Sequence, residues 1–221
     1  MTILQILVTY REAFLSGLIV TMKLVGIVWI LGILFGITVG ILADRFPALV
    51  GYPAFAITFL LSGIPFLVLL FWAHFPLQSL LNVVIDPFIT ASWVLTLVNT
   101  FTVSEIVKNV LRDFPEQYVI AAKVCGLSST TTLLHIKFPI TFRQLLPPLL
   151  TSQVNILQAT LFASLISVNE LFRMAQSINA VVYQPVAIYS ALALFFLAIC
   201  LPLNGLALWL KARYSRNLSE R

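Results

Sequence analysis

Tyr118–Pro139 reads YVIAAKVCGLSSTTTLLHIKFP. It is the longest polar-containing segment in a chain that is otherwise nearly all apolar, and its punctuation predicts two short helices hinged at a glycine. Asp113 can cap the first helix, Pro115 falls in the first turn where its missing N–H does no harm, and Glu116 completes a capping box. This helix is expected over about Pro115–Cys125. Gly126 then takes the place after the C-cap, where the left-handed conformation carries no Cβ penalty. Ser128 can cap a second helix through about His135, and Pro139 is expected to stop it. Such a helix–Gly–helix lying across a membrane surface is a shape that lodges in a cleft of a partner protein. His135 has no other His or Cys at ligand spacing and reads as a surface residue rather than a metal ligand.

On both sides of this loop the chain is apolar. Of its 221 residues 60% are hydrophobic and only 10% charged, against about 25% charged in soluble domains. Mean hydropathy is +1.03. Stretches 14–42, 53–75, 88–107, 145–168 and 187–210 are each long enough for a hydrocarbon core of about 30 Å, which needs roughly 20 apolar residues. The expectation is an all-α membrane protein with five transmembrane helices in a single domain, 1–221, and a loop over 113–139. Met1–Thr9 carries no Lys or Arg and no cleavage site follows, so the first span is expected to be retained. Cys125 and Cys200 fall in a loop and deep in the last span, which argues against a disulfide.

The formal net charge of +5 is explained by topology. Arg45, Lys108, Arg112, Lys123, Lys137, Arg143, Lys211, Arg213, Arg216 and Arg221 follow spans 1, 3 and 5 or lie in the loop. The other side carries Arg11 and Arg173, with Lys23 inside or near the first span. The positive-inside rule then puts the loop and the C-terminus in the cytoplasm and the N-terminus outside. Nucleic acid is not an expected partner.

Within the spans, small and polar residues stand out. Gly32, Gly36 and Gly40 form two overlapping small-xxx-small steps, read as close packing within the chain, with a contact between subunits as the other reading. Gly63-Ile64-Pro65 predicts a kink in span 2, beside Ser62. Glu105, near the cytoplasmic end of span 3, has Lys108 on the same face as a ready partner, and a coupling role is the other reading. Span 4 gathers Thr151, Ser152, Gln153, Asn155, Gln158, Thr160, Ser164 and Ser167. Thr151, Asn155 and Gln158 share one helix face. They either line a solute pathway or hydrogen-bond the bundle together.

The loop resembles the EAA loop of the permease subunits of ABC importers, a pattern of Glu-Ala-Ala, three residues, Gly, nine residues, Ile, one residue, Leu-Pro. Ala121, Ala122, Gly126, Ile136 and Pro139 match in register, while Ile120 replaces the Glu and Phe138 the Leu. The first span resembles the polar amino-acid branch, GL-x-x-T followed by spaced Gly. Val103–Lys108 is similar to its Ala-Glu-Ile-Val-Arg run, and Leu146–Leu149, Ala163-Ser164 and Glu170-Leu171 match its fourth span. Gln158 and Ala159 stand where that branch has Lys-Asp, and Ser62 and Ile64 where it has Arg and Thr.

This resemblance implies a type I importer permease in a bacterial inner membrane, translocating polar amino acids or related small solutes without covalent chemistry of its own. It implies two cytoplasmic ATPase subunits, which bind ATP and Mg while this chain binds no cofactor, an external substrate-binding protein and a second permease subunit. The departures at Ile120, Gln158 and Ala159 favour a different chain as that second permease over a homodimer. The loop, through Ala121, Ala122, Gly126, Leu127, Ser128, Ile136 and Pro139, would receive the ATPase stroke. Thr151, Asn155, Gln158, Ser62 and Glu105 are the pathway candidates. A non-transporting sensor or scaffold on the same fold, and an ion channel, are the alternatives. A channel needs a ring of charges or carbonyls, and the spans hold almost no acids.

Overall fold

The computed structural model describes residues 3–215. Arg216 and Arg221, counted above on the cytoplasmic side, lie outside the described residues. The helices are α1 (Ile3–Thr9), α2 (Arg11–Arg45), α3 (Tyr52–Gly63), α4 (Phe66–His74), α5 (Pro76–Leu81), α6 (Pro87–Arg112), α7 (Glu116–Val124), α8 (Ser129–Thr132), α9 (Phe138–Ala159), α10 (Leu171–Val182) and α11 (Pro185–Ser215). Four segments are long and apolar enough to cross a membrane by themselves, and the bent pair Pro47–Gly63 and Phe66–Leu81 makes a fifth.

The glycines of α2 decide how it packs. A Cβ at Gly32 would lie 2.7 Å from Asn99 Cγ, one at Gly36 would lie 2.5 Å from Val103 Cβ, and one at Gly40 would lie 2.7 Å from Val107 Cβ. Both sets of residues ascend by helical turns, so α2 and α6 run parallel with their backbones in close approach. The stripe is therefore an intrachain seam, as its spacing suggested. The polar glue of the bundle is a buried amide pair. Asn99 Nδ2 donates to Gln153 Oε1 at 3.0 Å, and Gln153 Nε2 donates back to Asn99 Oδ1 at 3.1 Å. Asn99 Nδ2 also donates to Val28 O, and Trp29 Nε1 to Gln153 O. Two amides thus tie α2, α6 and α9 together.

Span 2 is broken rather than kinked. Its halves meet at 98°, with Ile64 extended at φ −102°, ψ 124°. The residue before a proline is driven out of the helical region, and Gly63 offers no side-chain packing to hold the axis. Outside the break, Gln78 organises the turn into α6. Ile85 N–H can only donate, so Gln78 Oε1, at 2.8 Å, must accept it. The amide is thereby oriented with Nε2 toward Thr90 Oγ1 at 3.0 Å and His74 Nδ1 at 3.1 Å.

The reading of Pro139 as a stop is corrected. Ser129–Ile166 is one continuous helical run of 38 residues. Proline's ring clashes with the carbonyl four residues back, but here the preceding turn, Leu133–Lys137, is widened into a π-turn in which Phe138 N–H reaches Leu133 O. Pro139 then sits in the first turn of α9, where its lost donor costs little. The same helix carries Pro147 and Pro148 in its interior.

Between the fourth and fifth apolar spans lies α10, an amphipathic helix of 12 residues too short to be read as a span. It buries Leu171, Ala175 and Ile178 against Ile6, Ile188 and Leu192, which belong to α1 and α11. The start of α10 is fully satisfied. Glu170 accepts from Phe172 N at 2.8 Å and Arg173 N at 2.7 Å, and Thr21 Oγ1 on α2 accepts from Leu171 N at 3.1 Å. A Cβ at Gly17, one turn before Thr21, would lie 2.7 Å from Met174 Cγ and 3.0 Å from Leu171 Cα. Gly17 and Thr21 are thus the seat on which α10 rests.

Candidate functional site: coupling loop and membrane cavity

The loop begins differently from its sequence expectation. Asp113 ends α6, and Pro115 is the N-cap of α7 without a side-chain bond, so the capping-box reading of Asp113 and Glu116 is corrected. Asp113 N–H is already committed to Asn109 O, which keeps that residue in the preceding helix. The rest of the loop matches. Gly126 has φ +74°, Gly126 N–H donates to Lys123 O, and Leu127 N–H donates to Ala122 O, both at 3.0 Å. These paired bonds are a Schellman motif, which consumes orphan carbonyls and reverses the chain at a left-handed residue. Ser128 Oγ accepts from Thr131 N at 3.2 Å and opens the next helix.

Two turns therefore hold one rigid elbow, and its faces are distinct. Ala122 is buried, while Ala121, Leu127 and Ser128 are exposed. Ile136 and Pro139 are half-buried and help seat the elbow on the bundle. Ile120, at the family's Glu position, is 59% exposed and Val124 84% exposed. An apolar ridge of this kind on a loop facing water fits a partner's surface. Cys125 lies exposed on the same elbow, and Cys200 is buried in α11; both are free thiols. Among the described residues no group of His, Cys, Asp and Glu could hold a metal ion.

The polar face of α9 divides by role. Gln153 points inward to Asn99, whereas Thr151, Asn155 and Gln158 are exposed in the isolated chain. Thr151 and Asn155 line a cavity of about 900 Å³ together with Ser152, Thr102, Phe66 and Ile156. Arg143, Lys211 and Tyr214 border it toward the basic end. Thr151 Oγ1 bonds only to Pro147 O on its own helix, 3.2 Å away. Ser152 Oγ is buried without a hydrogen-bond partner. Gln158 does not line this cavity, so the structure separates it from Thr151 and Asn155.

Two other candidates stand apart. Ser62 Oγ bonds to Phe59 O within α3. Glu105 pairs with Lys108 at 3.3 Å, and Lys108 Nζ also lies 5.4 Å from the Phe55 ring centroid. The local partner foreseen for Glu105 is the one it has. Sequence reading overlooked Glu170 as a structural anchor; its signal was an acid directly before an amphipathic run.

Residues 32–216 match the family described as binding-protein-dependent transport system inner membrane component. Over 181 residues the chain is 30% identical to the glutamine transport system permease protein GlnP of Escherichia coli (strain K12), covering 79% of this chain and 82% of that one. It is 27% identical over 221 residues to the histidine/lysine/arginine/ornithine transport system permease protein HisQ of Salmonella typhimurium (strain LT2), covering 93% and 95%. Its fold is shared with a solved amino acid ABC transporter crystallised with histidines, at a TM-score of 0.82 and 22% identity over 94% of this chain and 96% of that one.

Proposed function

The chain belongs to the binding-protein-dependent transport system inner membrane components, and from that premise we propose that it carries polar amino acids through the cavity beside Thr151 and Asn155. It is a multi-pass inner-membrane translocation subunit of an ABC importer, with ATP hydrolysis done by separate subunits. The single observation that supports the route is the division of α9: one amide is spent on internal glue, while two neighbouring polar side chains face open space. Polar groups at membrane depth need partners or a water-filled cavity.

In the assembly we envisage, two ATPase subunits holding ATP and Mg grip the elbow at Ala121, Gly126, Leu127 and Ser128. An external binding protein delivers the solute, and a second permease subunit, a different chain by preference, completes the cavity. The elbow and the C-terminal end of α11 face the cytoplasm. The elbow is rigid and continuous with α9 through the π-turn, so a push on Ser128 moves the helix that bears Thr151. No covalent step is required. Coupling is the transfer of a displacement along one helical run.

The test is ATP-dependent uptake of labelled amino acids by the complex reconstituted in proteoliposomes with its binding protein. Thr151→Val and Asn155→Leu are expected to cut uptake at least about ten-fold, the effect of losing one or two solute-facing hydrogen bonds. ATPase activity stimulated by the loaded binding protein should persist. Unchanged uptake in the double variant would remove the route from this face, and ATP-independent flux would favour a channel.

A further inference from the structure

At the end of α6 opposite the elbow lies a second cleft, of about 440 Å³, lined by Lys23, Asp86, Ser167, Asn169, Val20 and Phe88. Asp86 opens α6, and Ser167–Asn169 follow the last turn of the fourth span, so Lys23, three turns into α2, lies level with the start of α6. Lys23 is exposed and makes no ion pair or hydrogen bond among the described residues. Asp86 uses only Oδ1, which accepts from Phe88 N at 2.8 Å and Ile89 N at 3.4 Å; Oδ2 is unengaged. A cation and a carboxylate thus line one cleft without pairing. Ser167 beside them holds φ +72°, a conformation rare for a residue with a Cβ and concentrated at functional sites.

We infer that this cleft binds the zwitterionic head of a free amino acid at the outer mouth, with its carboxylate on Lys23 and its ammonium on Asp86. The inference rests on the amino-acid reading above. One ligand bearing both charges satisfies both unpaired groups at once, with charge-assisted hydrogen bonds at each end. Asn169 adds an amide donor and acceptor, and Val20 and Phe88 give the side chain an apolar wall. The volume falls within the range of small-molecule sites, about 300–1,000 Å³.

The experiment is equilibrium dialysis of each proteinogenic amino acid, radiolabelled, against the permease–ATPase complex in nanodiscs without the external binding protein. At least one amino acid should bind. Lys23→Gln and Asp86→Asn should each weaken that binding about ten-fold or more. The α-amide of the same amino acid, and its analogue lacking the amine, should bind as weakly. Asn caps a helix as well as Asp, so Asp86→Asn keeps the start of α6 and its loss of binding would not be a folding loss. Asn155→Leu should leave this binding intact while cutting uptake, which separates the cleft from the membrane cavity. Binding unchanged by Lys23→Gln, or lost in Asn155→Leu alone, would overturn the proposal by moving the ligand to the cavity. Absence of any amino-acid binding, together with weaker docking of the binding protein to the Lys23→Gln complex, would overturn it too by assigning Lys23 to a protein carboxylate.

Discussion

At the residue scale, Gly126 and Glu170 each hold a place that few other side chains can take. A Cβ at Gly126 would meet nothing within 4 Å, so space is not its constraint; φ +74° is. A β-branched residue there costs at least about 1–2 kcal/mol in the left-handed region, and the Schellman bonds open to relieve it. Gly126→Val is expected to insert and fold but to uncouple, with ATPase activity retained and uptake lost in proteoliposomes; normal coupled uptake would mean the elbow is not needed. Glu170 is buried, and burial pushes its carboxyl up to about 7 against the opposing pull of the Phe172 and Arg173 N–H groups. A carboxyl with a raised folded-state pKa binds more protons folded than unfolded. Its stabilising share is complete below the ordinary carboxyl value and is lost as pH rises through about 7. Melting of the purified complex should therefore fall between mildly acidic and mildly basic pH, and Glu170→Gln should flatten that slope. An equal slope in the variant would assign the dependence elsewhere.

At the element scale, the bundle depends on pairs that work only together. Gln153→Leu alone leaves Asn99 with one buried donor hydrogen and its acceptor unmatched, a cost of about 1–3 kcal/mol. Asn99→Leu does the same to Gln153. In the double variant both stranded groups are gone, and stability should recover part of the combined loss. A thermal-denaturation cycle on the detergent-solubilised protein measures this coupling; strictly additive losses would show the amides to be independent. The π-turn before Pro139 illustrates the same logic in the backbone. A proline that would end a straight α-helix is tolerated because one widened turn removes the clash, which keeps the elbow and α9 mechanically one piece.

At the scale of the molecule, charge and aromatic rings mark the two sides. Arg143 stacks 6.0 Å from the Tyr214 ring centroid, Arg213 5.2 Å from that of Trp209 and Lys137 5.7 Å from that of Phe114, all at the end that carries the elbow. Cations resting on rings at a membrane boundary suit the basic face, which the proposed orientation puts in the cytoplasm. A single cysteine at Ser128, in a background without Cys125 and Cys200, should resist an impermeant thiol reagent in sealed cells and react after lysis. Strong labelling from outside would invert the proposed orientation.

How far the sequence reached follows from the range of the forces involved. Hydrophobic length, the EAA-like spacing and the Gly126–Ser128 turn chemistry are local properties, so the apolar spans, the family and the elbow were legible in the chain alone. The glycine stripe was legible too, because backbone approach in lipid needs small residues at helical spacing. What tertiary structure decided was which of several equally polar residues on α9 face the core and which face open space. Periodicity put Thr151, Asn155 and Gln158 together, but the position of Asn99 on a helix 54 residues away in sequence selected Gln153 as the internal partner. The cavity accepted only two of the three predicted side chains. The docking of α10 on Thr21 was likewise settled by a neighbour distant in the chain. A proline or a carboxylate states a cost locally, and only the surrounding packing determines whether the helix breaks, widens or is capped.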